Sequence, residues 1–196
     1  MARTTVRVVR ADSDDLGTLE QLWVESRIAT GQTRDWAGRM VRDGRVRSAV
    51  EHPDVRIFLA FNGTEPAGFL VLARSPLGAM TDEPSVLIDQ MYVQPDLRRR
   101  GVARALLAVV PLTAESIGVG VITAAVPAPQ RELNRFFARL GFASTTTLRS
   151  TSVATLRRHL EPELAAERAG GQSVVRLRRS IRGRARTRHA AAGEAG

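Results

Sequence analysis

The sequence predicts an α/β chain of the α+β type, a mixed and mostly antiparallel sheet flanked by helices, and three observations carry that expectation. Two apolar runs, Arg56 to Phe61 and Ala67 to Arg74, are joined by Asn62-Gly63-Thr64-Glu65-Pro66, and Asn-Gly between apolar runs is a strong hairpin signal. The apolar segment Ser85 to Val93 passes through the polar turn Gln94-Pro95-Asp96 and an arginine-glycine run into a helical segment, Ala103 to Ile117. Strands and helices follow one another as β-α-α-β-β-β-α-β-α-β-(α)-β, with no internal repeat.

Each element has its own local reason. Thr4 to Arg10 alternates in the strand manner, with Val6 and Val8 on one face and Arg7 on the other. Asp12-Ser13-Asp14-Asp15 then offers N-cap candidates for a helix whose apolar stripe is Leu16, Leu19, Leu22 and Trp23. A second helical segment, Thr33 to Val50, is arginine-rich on one side and carries Trp36, Met40 and Val41 on the other. After the hairpin, a loop at Pro76 to Pro84 leads to the strand Ser85 to Val93. Val119 to Val126 reads as a buried strand, Gln130 to Leu140 as a helix closed by Gly141 at C′, and Phe142 to Arg149 as a further strand. Val153 to Ala169 is helical in composition with a break at Pro162, and Gln172 to Ser180 reads as a final strand.

At 196 residues the chain suits one domain, placed at 1–180, with a basic tail at 181–196. That tail holds four arginines (Arg182, Arg184, Arg186, Arg188) against Glu194, which is +3 of the net +9. Without aromatic residues or a reader motif it is expected to be a solvated, disordered end, which argues against nucleic acid as a partner. No apolar run approaches the roughly 20 residues of a membrane span, and Met1 to Thr5 lacks a signal-peptide core, so a cytoplasmic protein with no membrane partner is expected. Zero cysteines excludes disulfides, thiolate metal sites and an acyl-cysteine intermediate. All 29 basic residues are arginine, which removes lysine as a nucleophile. His52, His159 and His189 have no spacing that suits a metal, and none is expected.

The most informative stretch is Arg98-Arg99-Arg100-Gly101-Val102-Ala103-Arg104. A strand that turns directly into a helix leaves the first-turn N–H groups without intrahelical acceptors, which makes an anion site. Gly101 lets backbone approach a ligand closely, Ala103 keeps the next turn open, and the arginines add positive charge where the helix dipole already favours anions. Neither a P-loop nor a G-x-G-x-x-G dinucleotide motif is present.

The spacing Arg98-x-x-Gly101-x-Ala103 resembles the [QR]-x-x-G-x-[GA] motif of the GNAT superfamily of acetyl-CoA-dependent N-acyltransferases, and Val86 to Asp96 resembles the strand that precedes it. Leu133-Asn134-Arg135-Phe136-Phe137-Ala138-Arg139-Leu140-Gly141-Phe142 resembles the second cofactor segment of that family. The resemblance covers residues 4–180 and implies the GNAT fold, with about six to seven strands and four or more helices. It further implies acetyl-CoA as co-substrate, with the pantetheine arm along Met91, Tyr92 and Val93, the pyrophosphate on Arg98 to Arg104, and Asn134 and Phe137 in the second cofactor segment. Dimers are common in the family, so a homodimer is open.

Direct transfer to an amine is implied as well. An amine with a pKa near 10 is only about one part in a thousand unprotonated at pH 7, so a base is sought. Asp89, two residues before the acyl position, is the candidate, with Glu83 in reserve; the alternative is that Asp89 faces solvent or pairs with an arginine. The family often carries a tyrosine acid where this chain has Phe137. Tyr92, the sole tyrosine, is read as a cofactor-wall residue or a displaced acid. Gln130 stands where the family commonly has asparagine. Trp23 and Trp36 fall in helices that line the family's acceptor pocket and are expected to be core residues. The acceptor is an amine of a small molecule or protein, and arginines in the variable segments favour one with some negative charge. A non-catalytic acyl-CoA sensor or interaction module is the alternative reading.

Overall fold

The structure, a computed structural model, describes residues 5–75, 84–127, 129–145 and 147–161. The chain divides into two units, Met1–Ala143 and Ser144–Gly196. The first carries β1 (Val6–Arg10), α1 (Leu16–Ala29), α2 (Arg34–Arg42), α3 (Arg45–Glu51), β2 (Val55–Asn62) and β3 (Glu65–Arg74). It continues with β4 (Ser85–Val93), a 3-10 turn (Pro95–Leu97), α4 (Val102–Ser116), β5 (Val121–Ala124) and α5 (Arg131–Arg139). In the second unit residues 153–161 form α6, capped by Ser152, whose Oγ accepts the Thr155 N–H at 3.0 Å.

The five strands lie in sequence order, β1-β2-β3-β4-β5. The first four form an antiparallel meander, and β5 returns parallel to β4 through the α4 crossover. Asn62-Gly63 forms the expected hairpin: Asn62 pairs with Glu65 across a two-residue loop, and Gly63 has φ 67°. One face of the sheet packs Leu70, Leu72, Val86 and Ile88 against Val102, Leu106 and Val110 of α4. The other packs Ile57, Leu59, Phe69 and Val71 against Leu16, Leu19 and Leu22 of α1 and Val46 of α3. At roughly 1.5–3 kcal/mol per fully buried aliphatic or aromatic side chain, these two layers supply most of the driving force for the first unit.

Several expectations are corrected. Thr33 to Val50 is two helices: Gly44 stands at φ 73° between α2 and α3, a left-handed residue that turns the second helix so that Val46 reaches the sheet. Among the described residues the strands number five. Val119 to Val126 contributes only the four-residue β5, partly exposed and paired on one side. No strand forms over the described part of Phe142 to Arg149: a strand needs a ladder partner and one apolar face, and the centre of this run is serine and threonine, with Leu148 73% exposed. The expected strand at 172–180, the tail at 181–196, Glu83 and the end of the last helix lie outside the described residues.

The Gly141 expectation is met in detail. The Gly141 N–H donates to Ala138 O at 3.1 Å and the Phe142 N–H to Phe137 O at 3.1 Å, a Schellman cap. Its hydrophobic contact is the Phe137–Phe142 pair, with ring centroids 5.0 Å apart. Gly118 closes α4 in the same way, its N–H donating to Glu115 O at 3.1 Å and the Val119 N–H to Ala114 O at 3.0 Å.

Candidate active site

The site is organised by what happens halfway along β4. Its first half is held on both edges, by β3 and by β5, and the β5 ladder stops at Ile88↔Ala124. One further bond, Ala125 N–H to Ile88 O at 3.0 Å, closes it. From Asp89 to Val93 the β5-facing edge has no strand partner among the described residues, so the described sheet opens there.

At the same point the β3 register jumps from Leu72↔Ile88 to Val71↔Gln90, leaving Asp89 as the extra residue of a β-bulge. One inserted residue reverses the alternation beyond it. Val86 and Ile88 face α4, and after the bulge Met91 and Val93 take up that side, while Tyr92 turns toward α1 and packs on Phe69 with centroids 5.9 Å apart. Gly68 allows the approach that fixes this geometry, because a Cβ there would overlap the Tyr92 carbonyl oxygen.

Beyond Val93 the chain makes the 3-10 turn and enters α4 through two left-handed residues, Arg99 at φ 61° and Gly101 at φ 86°. Arg99 is the only non-glycine residue with positive φ among the described residues. Its single-residue left-handed excursion costs about 1 kcal/mol and points to a functional constraint. The six consecutive N–H groups from Arg99 to Arg104 have no acceptor among the described residues; the first bond of this stretch is Ala105 N–H to Gly101 O at 2.9 Å. Such a run at a helix N-terminus, with alternating left-handed residues, is a nest for an anion. Nothing lies within 4 Å of where a Gly101 Cβ would stand, so the space above it is open. Arg98 turns back, its Nε donating to Val93 O at 3.4 Å, and so braces the turn. Val102 is buried beneath the helix start, whereas Arg99, Arg100 and Arg104 are exposed.

The side chains around the opening are polar. Asp89 is exposed and accepts from Gln90 Nε2 at 3.2 Å. The other end of that amide, Gln90 Oε1, is buried without a hydrogen-bond partner, the single such atom among the described residues. Arg27 of α1 stacks over Trp23 at 5.6 Å; burial pushes its pKa down, and the charge of Asp89 pulls it back up. Tyr92 is half-buried, and its phenol pKa is pushed up, first by burial and then by the Glu25 carboxylate, with Arg98 opposing. Glu25 in turn accepts from Gln94 Nε2 and Gln21 Nε2, both at 3.2 Å.

The structure therefore brings Asp89, Met91, Tyr92, Val93 and the Arg98 to Arg104 turn onto one continuous strand-turn-helix. The second segment is different in kind. Phe137 is 4% exposed and belongs to the core beside α4, while Asn134 is exposed and donates through Nδ2 to Gln130 O at 3.2 Å. Trp23 and Trp36 stack on each other at 6.2 Å, tying α1 to α2. Sequence reasoning passed over Glu25, Arg27 and Gln90. A polar residue inside an otherwise apolar strand was the available signal for Gln90, and the two α1 residues had none, since their relevance comes from α1 packing on β3 with side chains that reach the end of β4.

Fold and site together define an α/β protein whose sheet opens beside a strand and whose next helix begins with N–H groups that have no acceptor among the described residues. Residues 17–142 match the sequence model of the acetyltransferase (GNAT) family, and the chain belongs to that family: it is an acetyltransferase, and its co-substrate is acetyl-CoA. No curated protein matches it in sequence. Among solved structures it is similar to AAC(6')-Iy in complex with the bisubstrate analogue CoA-S-monomethyl-acetylneamine, at 18% identity and TM-score 0.61, covering 76% of this chain and 97% of that one. It is also similar to the ribosomal-protein-alanine N-acetyltransferase from Brucella melitensis biovar Abortus 2308, at 16% identity and TM-score 0.61, covering 76% and 99%. A third similar structure is the integron cassette protein HFX_CASS3 from the mobile metagenome of Cole Harbour Salt Marsh, at 23% identity and TM-score 0.58, covering 74% and 90%. At these identities the likeness shows the fold. Among the described residues no helix is long and apolar enough to cross a membrane, and no group of three or more His, Asp or Glu side chains is placed to hold a metal ion.

Proposed function

We propose that the protein moves an acetyl group from acetyl-CoA directly to a primary amine, of a small molecule or a protein. The observation that carries this reading is the six N–H groups from Arg99 to Arg104 without acceptors, standing at the end of the unpaired edge of β4. Their number, their place at the start of α4 and the open space over Gly101 support a pyrophosphate site. The acetyl-CoA thioester supplies the activated acyl group.

The chain's own residues supply the rest. The N–H groups of Arg99 to Arg104 hold the pyrophosphate, and at roughly 1.5–3 kcal/mol per charge-assisted bond a few of them suffice for micromolar affinity. The free backbone edge from Asp89 to Val93 receives the amide-bearing arm as a sheet receives an added strand. The N–H of Met91, on that stretch, is the donor proposed for the acyl oxygen. Asp89 is exposed at the bulge, free to take the proton that the ammonium must lose. Tyr92 keeps its phenol proton well into alkaline pH, so it can give that proton to the departing sulfur.

The test is calorimetric titration with acetyl-CoA of the parent and of Gly101→Glu, followed by thiol release with a panel of amines. Binding by the parent, none by the variant and amine-dependent thiol release support the proposal. A folded parent that binds no acetyl-CoA overturns it.

A further inference from the structure

We propose that the amine acceptor is a zwitterion, an ω-amino acid or phosphorylated amine, held in the groove between α1 and α2; this rests on the amine-transfer reading above. The groove has a volume of about 600 Å³, and opposite charges line its two sides. Glu20 and Glu25 come from α1, and both are half-buried; Arg34 and Arg42 come from α2, and both are exposed. The groove thus has an acidic wall and a basic rim.

These four charges do not neutralise one another. The one ion pair among the described residues is Arg74–Asp54, at 4.0 Å on the far side of the sequence. Glu20, Arg34 and Arg42 make no side-chain hydrogen bond among the described residues, and the partners of Glu25 are the neutral amides of Gln21 and Gln94. Half-buried carboxylates facing guanidiniums across a gap, with neither side closing on the other, leave both signs free for a ligand that carries both.

The groove is open at both glycines that line it: a Cβ on Gly17 of α1 would meet nothing within 4 Å, and one on Gly38 of α2 would make only ordinary contact, 3.5 Å, with Arg42 Nη1. The carboxylates and the guanidiniums belong to different helices, so an acceptor that meets both carries its two charges on separate groups along the molecule.

The groove leads to the transfer strand. Glu25 Oε2 accepts from Gln94 Nε2 at 3.2 Å, immediately after β4, and the Glu25 charge is felt by the Tyr92 phenol. An ammonium received at Glu25 is therefore beside the residues proposed to hold and protonate the acetyl donor.

The experiment compares acetyl-CoA-dependent thiol release with a zwitterionic set (6-aminohexanoate, phosphoethanolamine) and a cationic set (hexylamine, spermidine, sisomicin), for the parent and for Arg34→Gln/Arg42→Gln. The expected result is a kcat/KM at least tenfold higher for 6-aminohexanoate than for hexylamine. In the double variant that ratio falls to near one through a rise in KM. Equal or better use of hexylamine, spermidine or sisomicin by the parent overturns the zwitterion proposal and leaves amine transfer standing. If acetyl-CoA binds but no amine of either set is acetylated, the amine-transfer reading falls and this proposal with it.

Discussion

Gly68→Ala is expected to damage the fold and the co-substrate site together, because β3 passes β4 there with no room for a methyl group. A Cβ on Gly68 would overlap the Tyr92 carbonyl oxygen and stand 3.1 Å from Val93 Cα and 3.2 Å from Tyr92 C. All three atoms are backbone, so no side chain can rotate away, and the strands must part. Gly68 is paired with Ala60 on β2 and Val93 on β4, so it has no free direction within the sheet. Overpacking costs about 1–3 kcal/mol and each ladder bond lost adds about 0.5–1.5 kcal/mol, giving about 2–5 kcal/mol in total. For a chain of this size that lowers Tm by about 5–20 °C. Because the displaced residues are Tyr92 and Val93, acetyl-CoA affinity is expected to fall at temperatures where the variant is still folded. Thermal unfolding followed by circular dichroism, with calorimetric titration at low temperature, reads both effects. Gly120→Ala, where a Cβ meets nothing within 4 Å, is the matched control, expected to change stability by no more than about 0.5 kcal/mol. A Gly68→Ala protein melting within about 1 °C of the parent, with unchanged affinity, would refute the close-approach reasoning.

Three further outcomes are expected. Asp89→Asn is expected to lower kcat by roughly 10²–10⁴ while leaving acetyl-CoA affinity within about twofold, and undiminished turnover would remove Asp89 as the base. Tyr92 is the only tyrosine, so tyrosinate absorbance titrates it alone; its midpoint is expected above 10, and Glu25→Gln is expected to bring it down. The folded phenol holds its proton more tightly than the unfolded one, so this contribution to stability is complete below the ordinary tyrosine pKa and is lost as pH rises through the folded value. Gln90→Met removes the buried, unpartnered carbonyl together with the exposed Nε2 bond to Asp89, and a net gain in stability of about 1 kcal/mol is expected; a Tm lowered by more than the loss of that one exposed bond accounts for would refute the reading of Oε1 as unsatisfied.

What was legible in the sequence was what local chain chemistry decides. Asn62-Gly63 announces its hairpin, Gly141 its helix cap, and Arg98 to Ala103 its turn, because each needs only a few consecutive residues to be read. The break at Gly44 was obscured by helical patterning on both sides, and the hydroxyl-rich run after Phe142 has strand propensity without an apolar face to use it. The bulge at Asp89 leaves no mark in a continuous strand sequence, since a register shift is a property of two strands. Glu25 and Arg27 gain meaning only from α1 packing on β3, from which their side chains reach the end of β4, and the two-sided charge of the groove only from α1 and α2 lying together.

The one-sided half of β4 carries a thermodynamic consequence. From Asp89 onward β4 has no second neighbour among the described residues, and on the proposed reading a bound acetyl-CoA would provide one, so occupancy and folding stability are linked quantities. A ligand present at 100 times its Kd adds about 2.7 kcal/mol to the stability of the form that binds it. For a marginally stable domain that is a large share of the whole. The lifetime of this protein in a cell would then follow the local acetyl-CoA supply, with scarcity of the donor registering first as protease sensitivity near the open edge and only afterwards as lost turnover.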